Sequence, residues 1–180
     1  MSLDNLTIAK RYSKALFELA EQHDQLDGLQ SELNELRKVF QTVPNLGSML
    51  SDALLSYDKK RSIVEQLEKD ASPLVKNFIQ MTFDYGRVNN IVGIINEFDN
   101  LVDEKHQIVR ANLTTAVEIT DDQKQQIADG FAKKIGVKKV VVDSKVDDSI
   151  IGGAVLESHG LIYDGSISTQ INQIKQQLLS

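Results

Sequence analysis

The chain has 180 residues, 41% of them from the set AVILMFWYC, with no cysteine and no tryptophan. That composition supports a packed core and excludes disulfides, zinc–thiolate sites and thiol nucleophiles. Net charge is −6, from 20 Lys+Arg and 26 Asp+Glu, which does not draw the chain to phosphate backbones, and no apolar run reaches the roughly 18 residues of a membrane span.

The start, MSLDNLTIAKRYSKALF, has no long apolar run behind a basic segment, so neither a secretory signal nor, with Asp4 present, a transit peptide is expected. Charge is uneven along the chain. Residues 1–105 carry 12 basic against 17 acidic side chains, or −5, and residues 106–180 carry 8 against 9, or −1. This shift puts an expected domain boundary near His106.

Leu6 to Ala20 reads as a helix with Ile8, Tyr12, Ala15, Leu16 and Leu19 on one face. Core packing is the plain reading of that stripe, while the small Ala9 and Ala15 would let a partner helix come close. Leu26 to Phe40 is a second helix, with Leu26, Leu29, Leu33, Leu36 and Phe40 in a seam too short for a free coiled coil. Pro44 is expected to open a third helix reaching Leu50. Asp58 is expected to cap a fourth, with Ile63, Val64 and Leu67 inward and the basic run Lys59, Lys60 and Arg61 on a solvated surface in preference to a partner anion.

Ser72-Pro73 marks the fifth helix by a cap and a first-turn proline. Its apolar stripe, Leu74, Val75, Phe78, Ile79, Met81, Thr82 and Tyr85, is wider than a surface helix needs, and Gly86 suits the left-handed residue that ends it. Ile91, Ile94, Ile95, Phe98, Leu101 and Val102 space a sixth helix. Residues 1–105 are therefore expected to form a six-helix bundle.

The period then changes. Val109, Ala111, Leu113, Thr115 and Val117 alternate with polar residues as a half-buried strand. Thr120-Asp121 caps a helix through Ile135 that Gly136 ends, and Val140 to Val142 is a second strand. Ile150 to Leu156 and Leu161 to Tyr163 read as a hairpin turned by Ser158-His159-Gly160. Asp164-Gly165-Ser166 caps a last helix with Ile167, Ile171, Ile174 and Leu178 on one stripe. Residues 106–180 thus form a small α+β domain, ordered β-α-β-β-β-α, with its helices expected on one sheet face, and the whole chain is α+β.

Chemistry is sparse. His23, His106 and His159 fall in expected loops, with no metal-ligand spacing among them. Gly152-Gly153 and the segment GFAKKIG from Gly130 to Gly136 match neither phosphate-loop pattern, so the glycine pair points to a bulge or a close backbone approach. Lys133, Lys134, Lys138 and Lys139 form a basic cluster without stacking aromatics, better suited to solvent or an acidic helix than to nucleic acid. Asp147-Asp148 reads as a turn. The residues alone describe a non-catalytic two-domain protein, and a helical adaptor of another kind stays open on that ground.

Three segments carry a resemblance: IAKRYSKALFELA (Ile8 to Ala20), NFIQMTFDYGRVN (Asn77 to Asn89) and DDSIIGGAVLESHGLIYDGSI (Asp147 to Ile167). Together, in this order, they resemble the delta subunit family of the F-type ATP synthase, which includes the mitochondrial oligomycin-sensitivity-conferring protein. The resemblance implies a peripheral-stalk subunit without catalysis, cofactor, metal or nucleic acid. Its helical domain would grip the N-terminal helix of an ATP synthase α subunit. Its second domain would hold the C-terminal ends of the b subunits, on the cytoplasmic face of a bacterial membrane that it meets only through the complex. Carried over, the groove for the α helix would involve Tyr12, Ala15, Phe78 and Met81, with Ala9 and Leu16 beside them, and the b contact Gly152 and Gly153. Ser13 departs from the family's frequent alanine.

Overall fold

The computed structural model describes residues 4–52, 54–158 and 160–179, so the turn expected at His159 lies outside the described residues. Among them the chain is α+β, with eight α-helices and one four-stranded sheet. It divides into two compact units, Met1–Val102 and Asp103–Ser180.

The first unit holds α1 (Asn5–Gln22), α2 (Leu26–Thr42), α3 (Leu46–Ser51), α4 (Tyr57–Glu68) and α5 (Pro73–Asp84). A 3-10 turn at Val88–Asn90 leads into α6 (Ile91–His106), whose last residues pass into the second unit. One apolar core gathers side chains from all six helices. Helix α6 supplies Ile91, Ile94, Ile95, Phe98 and Val102, each buried, at the spacing of one helical face. Each such side chain contributes about 1.5–3 kcal/mol of transfer free energy. At Gly93 α6 faces α1: a Cβ there would sit in ordinary contact, 3.8 Å from that of Ala9. Phe17 meets Phe98 edge to face at 6.3 Å.

A polar tie runs beside this core. Asp99 of α6 accepts from Gln30 Nε2 at 2.9 Å and from Arg37 at 2.7 Å, and Arg37 also donates to Asn96 at 2.9 Å. Buried Ser13 is satisfied locally, its hydroxyl donating to the Lys10 carbonyl at 3.1 Å, which is why a serine fits there.

The start of α5 is as expected: Ser72 Oγ accepts from the Val75 amide and Pro73 takes the first position. Gly86 follows α5 with φ at +62°. Two other starts differ. Asn45, in the left-handed region, separates Pro44 from α3, a conformation asparagine adopts more readily than most residues. The flanking residue before α4 is Ser56, which puts Asp58 inside the first turn, where a carboxylate favours the helix dipole without capping.

The second unit holds β1 (Ile108–Thr115), α7 (Asp121–Ile135), β2 (Lys139–Val146), β3 (Ala154–Ser158), β4 (Leu161–Asp164) and α8 (Ile167–Leu179). Strand order is β2-β1-β3-β4, parallel between β1 and β2 and antiparallel elsewhere, with Leu113 opposite Leu156. Ala111, Leu113 and Thr115 are buried and Asn112 is exposed, the alternation the sequence predicts. Helix α7 is bounded by a capping box between Thr120 and Gln123 and by Gly136 at φ +74°. It lays Ala128, Phe131 and Ala132 onto Val140, Val142, Leu113 and Leu156.

Two expectations change here. The strand expected from Ile150 begins only at Ala154, because Ile150 closes a 3-10 turn and Ile151 and Gly153 have positive φ. Helix α8 contributes no side chain to the sheet core among the described residues, so only α7 covers the sheet as expected.

Candidate partner-binding surfaces

The helical unit places the four residues singled out on it at different depths. Tyr12 is half-buried and packs against the core, Ala15 is exposed, Phe78 is 1% exposed and Met81 is 38% exposed. Tyr12 and Phe78 thus meet the same core cluster, while Ala15 and Met81 face solvent. Ala9 and Leu16 are buried, and the small Ala9 serves the chain's own contact with α6.

The exposed face of α1 extends past Ala15 to Leu19, 42% exposed, and beyond Met81 of α5 the flanking Tyr85 is 71% exposed. Ala15 and Leu19 are four residues apart and share a face of α1, and Tyr85 follows directly on the last residue of α5. Leu19 and Tyr85 were readable as apolar but not as exposed. Periodicity gives a stripe and not the depth at which a neighbouring helix stops covering it.

In the second unit the glycine pair is packed by the chain itself. A Cβ on Gly153 would fall on the Gly165 carbonyl, and one on Gly152 would meet Ile167 Cδ1 at 2.6 Å. Backbone bonds lock the approach: Ile167 N–H donates to Gly152 O at 2.9 Å and Gly165 N–H to Ala154 O at 2.9 Å. The close backbone approach expected at this pair is therefore present, with the Asp164-Gly165-Ser166 turn as its partner.

That turn starts α8. Asp164 accepts from the Ser166 amide at 2.8 Å and the Thr169 hydroxyl at 2.7 Å, and Ser166 Oγ accepts from the Thr169 amide at 3.2 Å. The hydrogen bond from Thr169, followed by those from Ser166, holds the Asp164 carboxyl below its usual range. Similarly, the bond from Ser149 lowers the Asp147 carboxyl in the turn before the glycines.

So anchored, α8 turns its apolar stripe outward. Ile167, Ile171 and Ile174 are exposed, Ile174 by 56%, and Leu161 and Ile162 on the outermost strand β4 are exposed as well. The side chain of Leu178 lies outside those described. Sequence reading marks this stripe as apolar but assigns it no partner, and the fold leaves it uncovered. Lys133, Lys134, Lys138 and Lys139 are all exposed, and Lys134 Nζ lies 5.1 Å from the Tyr163 ring, which also meets Phe131 edge to face at 4.9 Å.

Among the described residues no group of three His, Cys, Asp or Glu side chains is placed to hold a metal, and no helix is long and apolar enough to cross a membrane. What the two units offer is surface: exposed apolar side chains on α1, α5 and α8.

Residues 8–178 match the family model described as ATP synthase delta (OSCP) subunit. The chain is 51% identical over 179 residues to the ATP synthase subunit delta of Pediococcus pentosaceus, covering 99% of each. It is 47% identical over 180 residues to that of Lactiplantibacillus plantarum, covering 100% of this chain and 99% of the relative. Its fold is similar, with a TM-score of 0.71 at 19% identity, to a chain in the mitochondrial ATP synthase hexamer of Toxoplasma gondii, covering 97% and 98% of the two. The chain belongs to the ATP synthase delta (OSCP) subunit family. It is accordingly a non-catalytic, peripheral-stalk component of the ATP synthase, and the alternative of an unrelated adaptor falls away.

Proposed function

We propose that the chain joins the catalytic head of the ATP synthase to its membrane-anchored b subunits through two separate grips. The helical unit, read as a six-helix bundle over residues 1–105, takes the N-terminal helix of an ATP synthase α subunit. The unit over residues 106–180 takes the C-terminal ends of the b subunits. The observation that supports this is that each unit leaves apolar side chains exposed: Ala15, Leu19, Met81 and Tyr85 on the first, and Ile167, Ile171 and Ile174 on the second.

On the first surface, Ala15 keeps the approach open, while Tyr12 and Met81 supply apolar contact. Phe78 acts from beneath by fixing α5, since its side chain is buried. An amphipathic helix is the occupant such a surface favours. Each apolar side chain it buries is worth about 1.5–3 kcal/mol before the costs of association, which several of them offset. On the second surface, Gly152 and Gly153 act by seating α8 rather than by touching the b chains. The exposed lysines near Tyr163 would meet acidic residues of the stalk.

Held between the two, the head is kept from turning with the rotor, so rotor torque is coupled to ATP synthesis. The chain then lies on the cytoplasmic face of the bacterial membrane and is attached to it only through the complex. Co-purification of the full chain with α and b subunits tests this. Ala15→Asp should lose α and keep b, and Ile171→Asp should do the reverse. Retention of both partners by both variants would refute the assignment of surfaces.

A further inference from the structure

A second surface of the helical unit is independent of the one above. A groove of about 520 Å³ opens between α2, α4 and the start of α5. Leu36, Leu67 and Val75 form its apolar floor, and Glu32, Glu35 and Asp70 stand at its rim. Among the described lining residues there is no lysine or arginine.

The groove lies at the C-terminal end of α4, the negative end of that helix's dipole. The last turn of α4 carries no basic residue, and Lys69 just beyond it is not among the lining groups. Of the rim groups, Glu32 accepts from the Ser72 amide at 2.8 Å, and Glu35 pairs with Lys38 at 3.6 Å where both are exposed. The local charge is therefore negative from two sources: the lining carboxylates and a helix terminus.

We propose that this groove docks a cationic amphipathic helix of another protein chain, its apolar side chains on Val39 and Leu67 above the buried Leu36 and Val75, and its lysines or arginines against Glu32, Glu35 and Asp70. The apolar floor supplies affinity, and the carboxylates select sign and orientation. An acidic helix of the same apolar pattern is rejected by like charge.

The test uses the full, isotopically labelled chain and a synthetic 15-residue amphipathic peptide of leucine and lysine, with a leucine–glutamate peptide of the same pattern as its counterpart. Amide shifts on adding the leucine–lysine peptide should cluster around Leu36 and Leu67. The exposed double variant Glu35→Lys/Asp70→Lys should keep the native spectrum and bind the peptide about tenfold more weakly. Shifts scattered over the acidic surface or centred on Ala15 and Met81, an unchanged affinity in the variant, or equal binding of the leucine–glutamate peptide would each overturn the proposal. The substitutions lie away from Ala15, Met81 and α8, so capture of α and b should be unaffected, and the two readings fail separately.

Discussion

Gly153 and Gly165 meet backbone to backbone. A Cβ built on Gly153 would collide with the Gly165 carbonyl oxygen and lie 3.2 Å from its carbon, and Gly153 has φ +78°. Both facts require glycine, one by space and one by conformation. The contact joins the turn before β3 to the turn before α8, so it decides where α8 is anchored and hence which way its isoleucines face.

Gly153→Ala should therefore destabilise the second unit by about 2–4 kcal/mol, combining left-handed strain with a backbone clash. Gly152→Ala should cost about 1 kcal/mol or less, because its added methyl meets the movable end of Ile167. Hydrogen exchange of β1 amides measures both; equal losses would contradict this account.

The Asp164 cap makes α8 sensitive to acid. Its folded-state carboxyl lies below the usual 3.8, lowered first by the Thr169 hydroxyl bond. A depressed folded value means the cap's contribution is complete above the unfolded value and is lost as pH falls through the folded one. Carbon-detected titration should show Asp164 ionising below pH 3.8, and Thr169→Val should move it back upward. An unchanged titration in that variant would show that the hydroxyl bond is absent in solution.

Ala15→Asp and Phe78→Ala should separate surface from support. The first adds an exposed charge, so stability should stay within about 0.5 kcal/mol while capture of a peptide spanning the N-terminal helix of α weakens at least about tenfold. The second empties a fully buried site and should cost about 3–5 kcal/mol of stability. Thermal melts beside peptide titration distinguish them, and a large melting shift for Ala15→Asp would place that residue in the core.

Ile171→Asp/Ile174→Asp should leave the melting of the second unit unchanged, since both side chains are half exposed or more. Binding of a peptide spanning the C-terminal end of b should fall at least about tenfold. Unfolding of the unit by this pair would show that α8 packs inward in solution.

Asp99→Ala should destabilise the helical unit by about 2 kcal/mol, because it removes the shared acceptor through which Gln30 and Arg37 tie α2 to α6. Urea unfolding gives the value. A neutral result would mean that water replaces the carboxylate.

Much of the local structure was legible in the residues. The cap at Ser72, the cap at Thr120, the stop at Gly136 and the inward face of α6 are set within a few residues of chain. Local hydrogen bonding and helical spacing act over that range. Asn45 and Ser56 show where this fails: the competing starts lay one or two residues away, and the local preferences of Pro44 and Asp58 were too weak to separate them.

The candidate surfaces were legible only as apolar stripes. Tyr12, Ala15, Phe78 and Met81 share a pattern, yet Phe78 is buried and Met81 is not, because depth depends on where neighbouring helices end. The same holds for Ile167, Ile171 and Ile174, whose spacing is as helical as that of Ile91, Ile94 and Ile95 but whose exposure is opposite. The chain's residues by themselves determined a two-part α+β protein, the DGS turn that starts α8 and the family to which they belong. Tertiary structure alone decided which apolar faces the fold consumes and which it leaves for partners, since burial is a property of elements far apart in sequence meeting in space.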